Sequence, residues 1–349
     1  MTSLIGEAAL HDLAARALVG FGLTESDAKD TATILVLGDL FGVHTHGVSR
    51  IETYAERLQI GGIKAHPDIR VERVASTVAR VDGDNGVGPL VGMHALRCAM
   101  EMAREHGSGI AFARGSNHFG PVGPYSYLAA EQGFASIIGS NSTTTIAPTG
   151  GRDARLGNSP VGFGVPNPAG RPIILDMAIS VVARAKIRAA LTRGETIPDT
   201  WATDKDGAPT TDPKAALDGF LQPIGGYKGY GMALIVDLFA GLLSGAAYLT
   251  HVKSWSEEPE QPQNLGHFFF LIDTKVLGSP AWLAERMGDF ARILHTTPAA
   301  DPSKPVLVPG EIEMNCLERQ RRDGIVLDDE LLALLSRNAA KGAANTQIA

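Results

Sequence analysis

Four short stretches of the chain bring together residue types that do chemistry as a set. In His44-Thr45-His46-Gly47-Val48-Ser49-Arg50, with Tyr54 beyond, an imidazole, a guanidinium and a phenol recur every four residues. On a helix His46, Arg50 and Tyr54 would share one face, with Gly47 weakening the turn. A guanidinium forks onto a carboxylate and an imidazole exchanges a proton near neutral pH, so the set suits binding and protonation of a small oxo acid. Taken singly, each side chain has a plainer reading: a surface ion pair for the arginine, a satisfied core hydrogen bond for the histidine. The second stretch, Arg114-Gly115-Ser116-Asn117-His118-Phe119-Gly120, follows the strand-like GIAFA. A histidine in a Ser/Asn/Gly loop at a strand end makes His118 the candidate general acid and base.

The other two stretches are glycine clusters. Gly86-Val87-Gly88-Pro89-Leu90-Val91-Gly92 sits between a strand-like run and a helical one, where a dinucleotide-binding turn would sit. Its GxGxxxG spacing, the amide deleted by Pro89 and the lack of an acid after the next strand favour a structural turn instead. Gly225-Gly226-Tyr227-Lys228-Gly229-Tyr230-Gly231 leads into an apolar helical run and makes a candidate anion seat. His44, His46 and His118 also admit a zinc site, and with it a zinc hydrolase. Nothing nearby completes the ligand set, so no metal is assigned.

These clusters need elements to hold them. The first sixty residues read as helices, with Thr24 as an N-cap three residues before Asp27. From Arg70 onward, β-branched runs such as VERVASTVARVDG, FASIIGS and RPIILDM alternate with helical ones, which argues for an α/β centre. Asp212-Pro213 has the form of an N-cap with proline at the first helical position, HFFFLID reads as a buried strand, and the tail returns to helix. Met232 to Leu249 reads as a buried core helix, because Asp237 and two glycines make a lipid-exposed span costly. Ser254 to Gly266 is polar and reads as a surface loop or lid.

Composition narrows the function classes. With 349 residues, 44% of them hydrophobic, the chain buries at least one large core. A formal charge of -7 is a poor match for nucleic acid. Two distant cysteines make no disulfide framework and suit a reducing, cytoplasmic setting, and the N-terminus lacks the basic start and unbroken apolar core of a signal peptide. The 40 glycines, about one residue in nine against a usual ~7%, gather in short clusters rather than in a repeat or a linker.

Taken in order, THGVSR, GSNHFG, LGNSPVGFGVP, ILDMAIS, IPDTWATDKDGAPTTDP, GGYKGYG and PGEIE resemble the type 2 malate/L-lactate dehydrogenase family, over about Leu40 to Asp323. The resemblance implies a non-Rossmann α/β fold. A helical part would be built from both chain ends, 1–70 with 310–349, beside an α/β NAD(P)-binding part, 71–309, with a mixed, largely antiparallel sheet. It further implies a homodimer that transfers a hydride between NAD or NADP and a small 2-hydroxy or 2-oxo acid (malate-, lactate-, sulfolactate- or ureidoglycolate-like). The alternative within the family is reduction of a cyclic or N-alkyl 2-imino acid.

Residue by residue, the implied catalytic set is His118, His46, Arg50, Tyr54 and Thr45. Thr45 stands where many relatives carry serine. The implied cofactor contacts are Gly120, Ser142, Asp176, Met177, Ala178, Lys228, Pro309, Gly310 and Glu311. Arg152, Arg155, Arg184 and Lys186 are the candidate cations for a 2′-phosphate, and the sequence leaves NAD against NADP open.

Overall fold

The computed structural model describes residues 2–346 of the chain. Its first part runs β1 (Thr2–Ile5), α1 (Glu7–Gly20), α2 (Glu25–Leu40) and α3 (Arg50–Gln59), with a short 3-10 turn at His44–His46 before α3. The middle runs β2 (Arg70–Ala75), β3 (Val78–Asp82), α4 (Gly88–His106), β4 (Ser108–Ser116), α5 (Gly123–Glu131), β5 (Phe134–Ser140), β6 (Thr144–Ile146), β7 (Leu156–Gly157), β8 (Val161–Val165) and β9 (Ile173–Met177). There follow α6 (Arg184–Arg193), α7 (Pro213–Asp218), α8 (Tyr227–Asp237), β10 (Leu265–Asp273), α9 (Pro280–His295), α10 (Glu311–Asp323), β11 (Ile325–Asp328) and α11 (Asp329–Thr346).

The main sheet has seven strands in the order β2-β3-β4-β10-β5-β8-β9. Only β3 and β4 pair in parallel, so the sheet is mixed and largely antiparallel, as the resemblance implies. The HFFFLID run supplies the central strand, β10, and both of its faces are buried, which is why it reads as continuously apolar. Strand alternation sends Phe269 and Leu271 into the core under α4 and α5, and Phe268 and Phe270 toward α8. His267, on the first of these faces, is fully buried. Its ring lies flat on Phe119, 4.2 Å between centroids, and hydrogen-bonds Ser140 Oγ (2.9 Å) and Ser116 Oγ (2.7 Å), pinning the strand ends that carry the functional loops.

Burial pushes the His267 imidazole down to about 3. An unfolded chain would bind that proton below pH 6.5 while the folded one refuses it, so stability falls as pH drops from 6.5 toward 3. The expected loss is about 1.4 kcal/mol per pH unit from this residue alone. Melting curves recorded from pH 7 to 4 are expected to be less steep in pH for His267→Gln than for the wild type. Parallel slopes would show that the ring titrates normally.

The remaining helices form a second core. Leu10 and Leu18 of α1, Leu35 of α2, Ile51 of α3, Leu317 of α10 and Leu335 of α11 share one apolar cluster. The chain ends also meet in a two-stranded sheet, β1 with β11, where the sequence reading expected only helix. Gln320 of α10 donates to Asp39 O (2.8 Å) and Leu40 O (3.1 Å), capping α2 across the molecule. Thr24 accepts from Asp27 N and Asp212 from Lys214 N, so both expected N-caps form.

The Met232–Leu249 expectation needs correction. Helix ends at Asp237, a π-helical turn covers Leu238–Leu243, and Ile235 (52%), Leu242 (48%) and Leu243 (56%) are exposed. Apolar content signalled a core; in fact only one side of the element packs on the sheet. No helix among the described residues is long and apolar enough to cross a membrane.

Candidate active site

The GSNHFG loop leaves the end of β4 and carries His118 to the junction between the sheet and the helical layer. Close packing fixes it there. A Cβ on Gly88 would stand 2.2 Å from His118 O and 2.3 Å from Asn117 O, so the Gly86–Gly92 cluster is a structural turn that lets α4 approach this loop. Gly120, with φ of 81°, turns the chain away beneath Ile34.

Opposite this loop, the THGVSR segment is built on Asp39. The Asp39 carboxylate, buried at the end of α2, accepts from Val48 N (2.7 Å) and meets His44 Nδ1 (2.9 Å). Burial raises its pKa, while the hydrogen bond from His44 pulls it back down; the same bond raises His44. Gly47 is required because a Cβ would fall 2.2 Å from that carboxylate. His46, Arg50 and Tyr54 therefore do not lie on one helical face: His46 belongs to the 3-10 turn, Gly47 is extended, and α3 starts at Arg50. They converge all the same.

Tyr54 Oη lies 2.8 Å from His118 Nδ1 and 3.1 Å from His118 O. The His46 and His118 rings are 5.3 Å apart between centroids, Thr45 Oγ1 holds His46 Nδ1 at 2.9 Å, and Arg50 Nε donates to Thr45 O at 2.6 Å. Burial, then the charge of Arg50, lowers His46 to about 4. Burial, reinforced by His46 and Arg50, holds His118 well below the usual histidine range, and burial raises the Tyr54 phenol so that it stays protonated. A neutral imidazole at position 118 follows.

Thr45, His46 and His118 line a cleft of about 320 Å³, and Arg50 and Tyr54 reach it through their bonds to Thr45 and His118. Gly120, Ser142, Asp176 and Ala178 share its lining. Asp176 opens onto the cleft but is crowded by protein around it; it accepts from Gly123 N (2.7 Å), and burial lifts its carboxyl to about 6. Ser142 donates to Asn158 Oδ1 (2.9 Å) and accepts from Ser159 N, while the buried Ser159 Oγ has no partner. Hydroxyls, amides and a carboxylate set in a mainly apolar lining suit the polar ring of a nicotinamide.

Five expected cofactor residues lie outside the lining. Met177 packs into the apolar cluster under α8, and Lys228 is exposed at the start of α8. Pro309 is exposed, Gly310 seats against Ile174, and Glu311 is tied to Val308 N (2.9 Å) and His295 (2.8 Å). Gly226 caps α8 with a positive φ, so the Gly225–Gly231 cluster does open a helix. Of the three histidines weighed for zinc, His44 is committed to Asp39, and no metal-holding group of three His, Cys, Asp or Glu occurs among the described residues.

Sequence reasoning missed two residues that complete the site. Arg57 is 1% exposed, with no carboxylate partner among the described residues. Its guanidinium donates to Pro259 O (3.0 Å), Asn117 Oδ1 (2.9 Å), Gln263 Oε1 (3.1 Å), Gly62 O (3.0 Å) and Gln261 O (2.8 Å), and burial lowers it to about 10. It thus ties α3, the His118 loop and the Ser254–Gly266 segment together. Its place three residues after Tyr54 continued the helical spacing and could have revealed it. The second is Trp255, stacked on His118 at 4.8 Å between centroids, with Arg50 Cζ 5.0 Å from its ring centre.

Comparison with known proteins agrees with this architecture. A malate/L-lactate dehydrogenase family profile matches residues 5–336. A malate dehydrogenase of Pyrococcus horikoshii is 34% identical over 340 residues, covering 95% of this chain and 93% of that protein. A Delta(1)-pyrroline-2-carboxylate reductase of Ancylobacter novellus is 33% identical over 335 residues, covering 96% and 97%. The crystal structure of malate dehydrogenase from Entamoeba histolytica superposes with a TM-score of 0.90 at 28% identity, covering 98% of this chain and 99% of that one. The chain therefore belongs to the malate/L-lactate dehydrogenase family.

Proposed function

We propose that the protein is a nicotinamide-dependent dehydrogenase of a small 2-hydroxy acid, interconverting it with the 2-oxo acid. The observation that carries this reading is the meeting of Arg50, Tyr54 and His118, from segments 64 residues apart, beside one cleft that His118 lines. The nicotinamide, when bound, supplies or takes up the hydride at C2 of the acid. Everything else falls to the chain. Arg50 spends its Nε on Thr45 O, and the Nη edge of its guanidinium is the part that forks onto the substrate carboxylate.

The single phenolic proton of Tyr54 satisfies His118 O, so His118 Nδ1–H donates to the phenol oxygen and Nε2 keeps its lone pair. In oxidation that Nε2 accepts the hydroxyl proton; in reduction it returns the proton to the carbonyl oxygen. Thr45 holds His46 beside it, and Gly120, Ser142, Asp176 and Ala178 are the residues assigned to the cofactor end. The helical part, 1–70 with 310–349, carries the carboxylate site, and 71–309 carries the cofactor site.

Reduction of a 2-imino acid is the second reading, supported by the reductase relative and by the same carboxylate fork, which an imine beside a carboxylate also needs. The test couples two measurements on the purified protein. Melting temperature with NADH or NADPH picks the cofactor; then pyruvate, oxaloacetate, sulfopyruvate and piperideine-2-carboxylate are compared by loss of the reduced-nicotinamide absorbance. Turnover of an oxo acid upholds the first reading and turnover of the cyclic imine alone upholds the second. A protein that binds neither nicotinamide and oxidises none with any acid refutes both.

Arg155 pairs with Asp153 and Arg184 donates to Leu217 O. Of the four candidate cations, Arg152 and Lys186 thus remain with side chains that have no hydrogen-bond or ion-pair partner among the described residues.

The active form is a homodimer in this reading, and the exposed row Ile235, Leu238, Leu242 and Leu243 is its supporting feature. Light scattering after size exclusion is expected to give twice the chain mass for the wild type and the chain mass for Ile235→Asp/Leu242→Asp. A monomeric wild type would remove the dimer. Free thiols at Cys98 and Cys316 are consistent with a reducing, cytoplasmic location.

A further inference from the structure

Trp255 stands in a polar strap, Ser254 to Gly266, yet its indole is turned inward over the two groups on which the chemistry depends. The strap is not loosely placed. Arg57 holds Pro259 O, Gln261 O and Gln263 Oε1, and that same Gln263 oxygen accepts from His118 N at 3.3 Å. A Cβ on Gly62 would stand 2.0 Å from Pro259 O, so the strap is pressed against the turn after α3. Trp255 is therefore in register with both α3 and the His118 loop.

The geometry of the three planar groups matters. Trp255 takes one face of the His118 imidazole, with 29° between the planes, and the Arg50 guanidinium lies over the same indole. A guanidinium engages an aromatic ring by its face and a carboxylate by its edge, so the two partners do not compete. Arg50 Nε is held by Thr45 O, and among the described residues no acid pairs with this side chain. Facial contact with the indole and the Nε bond together leave the Nη edge as the one free direction.

We propose that Trp255 is a positioning residue for the reaction: its indole sets the angle between the Arg50 fork and the His118 ring, so that a carboxylate held by the first presents C2 at the second. This rests on the 2-oxo acid reading above and adds to it a residue that acts through the other two. Tyr54 holds His118 at one ring nitrogen and Thr45 holds Arg50 at Nε, and a single bond to each leaves the angle between ring and fork to a third contact. A single aromatic plate in contact with both removes that freedom before substrate arrives.

The test uses the full chain with Trp255→Phe and Trp255→Ala, alongside the wild type. Trp201 and Trp282 stay in place as internal references. Oxamate, a planar carboxylate that mimics a 2-oxo acid without being reduced, is titrated against tryptophan emission at constant pH. The wild type is expected to change its emission saturably, and both variants to lose that change while melting within a few degrees of the wild type. With the best-reduced acid, Trp255→Ala is expected to lose about 10- to 100-fold in kcat with a smaller rise in KM, and Trp255→Phe to recover most of kcat.

Wild-type kcat in Trp255→Ala, or an oxamate response undiminished in both variants, would overturn the proposal. The two readouts also separate it from the reading beneath it. An oxamate response that needs Trp255, in a protein that reduces no 2-oxo acid, keeps the indole at the carboxylate site and discards the dehydrogenase reading.

Discussion

His118→Ala is expected to lower kcat by about 10²- to 10⁴-fold in both directions, with KM changed little. Of the imidazoles and the phenol that meet here, the His118 ring is the one assigned to the substrate proton. Burial holds Tyr54 as a phenol, and His46 is held near 4 with its Nδ1 engaged by Thr45. Burial and the neighbouring cationic groups keep His118 neutral in the free protein, so as a base it needs no deprotonation step. The acid limb of kcat/KM for oxidation is therefore expected well below pH 6.5, not at it.

Reduction needs the protonated ring. Burial disfavours that form, whereas the carboxylate delivered to Arg50 brings the negative charge that favours it, so the reductive rate is expected to rise as pH falls. Single-turnover mixing of enzyme, reduced nicotinamide and substrate checks both points. A full transfer rate in His118→Ala, or an oxidative limb centred at 6.5, would remove the ring from the proton path.

The parts of the site legible in the sequence are those coded locally. A histidine in a Ser/Asn/Gly loop after a strand, and an arginine four residues beyond a His-x-His pair, are visible within a dozen residues, and the structure places the histidine on the cleft lining and the arginine beside it, against Thr45 O. The helical face assigned to His46, Arg50 and Tyr54 was the wrong geometry, because the Asp39 carboxylate, eight residues upstream of Gly47, forces a tight turn there. Spacing along one helix carries no information about such a side-chain intrusion.

Trp255, and Arg57 apart from its helical spacing to Tyr54, went unread for a different reason. Their partners lie about two hundred residues away, as in Arg57 to Pro259, and each stands in a segment whose composition says only solvent. The Met232–Leu249 run shows the converse error. Hydrophobic content gives the number of apolar side chains but not whether the chain itself or a second copy covers them.

Arg50→Ala is expected to cost about 10²- to 10³-fold in kcat/KM, most of it in KM, from the loss of two charge-assisted hydrogen bonds to a carboxylate. The cost does not fall on KM alone, since the fork also orients C2 toward His118, so a fall in kcat of roughly tenfold accompanies it. Arg50→Lys separates charge from shape. A lysine keeps the positive charge but offers a point rather than a fork, and it cannot reproduce both the bond to Thr45 O and the facial contact with Trp255.

Arg50→Lys is therefore expected to recover less than half of the lost binding free energy, whereas free guanidinium added to Arg50→Ala recovers activity in proportion to its concentration. Steady-state kinetics on the best-reduced acid, against its amide as a substrate lacking the carboxylate charge, reads the result. The amide is expected to be equally poor with wild type and Arg50→Ala, because the interaction being removed is one it never makes. If instead the amide suffers the same further loss as the acid, Arg50 acts on the protein's own structure and the carboxylate is held elsewhere.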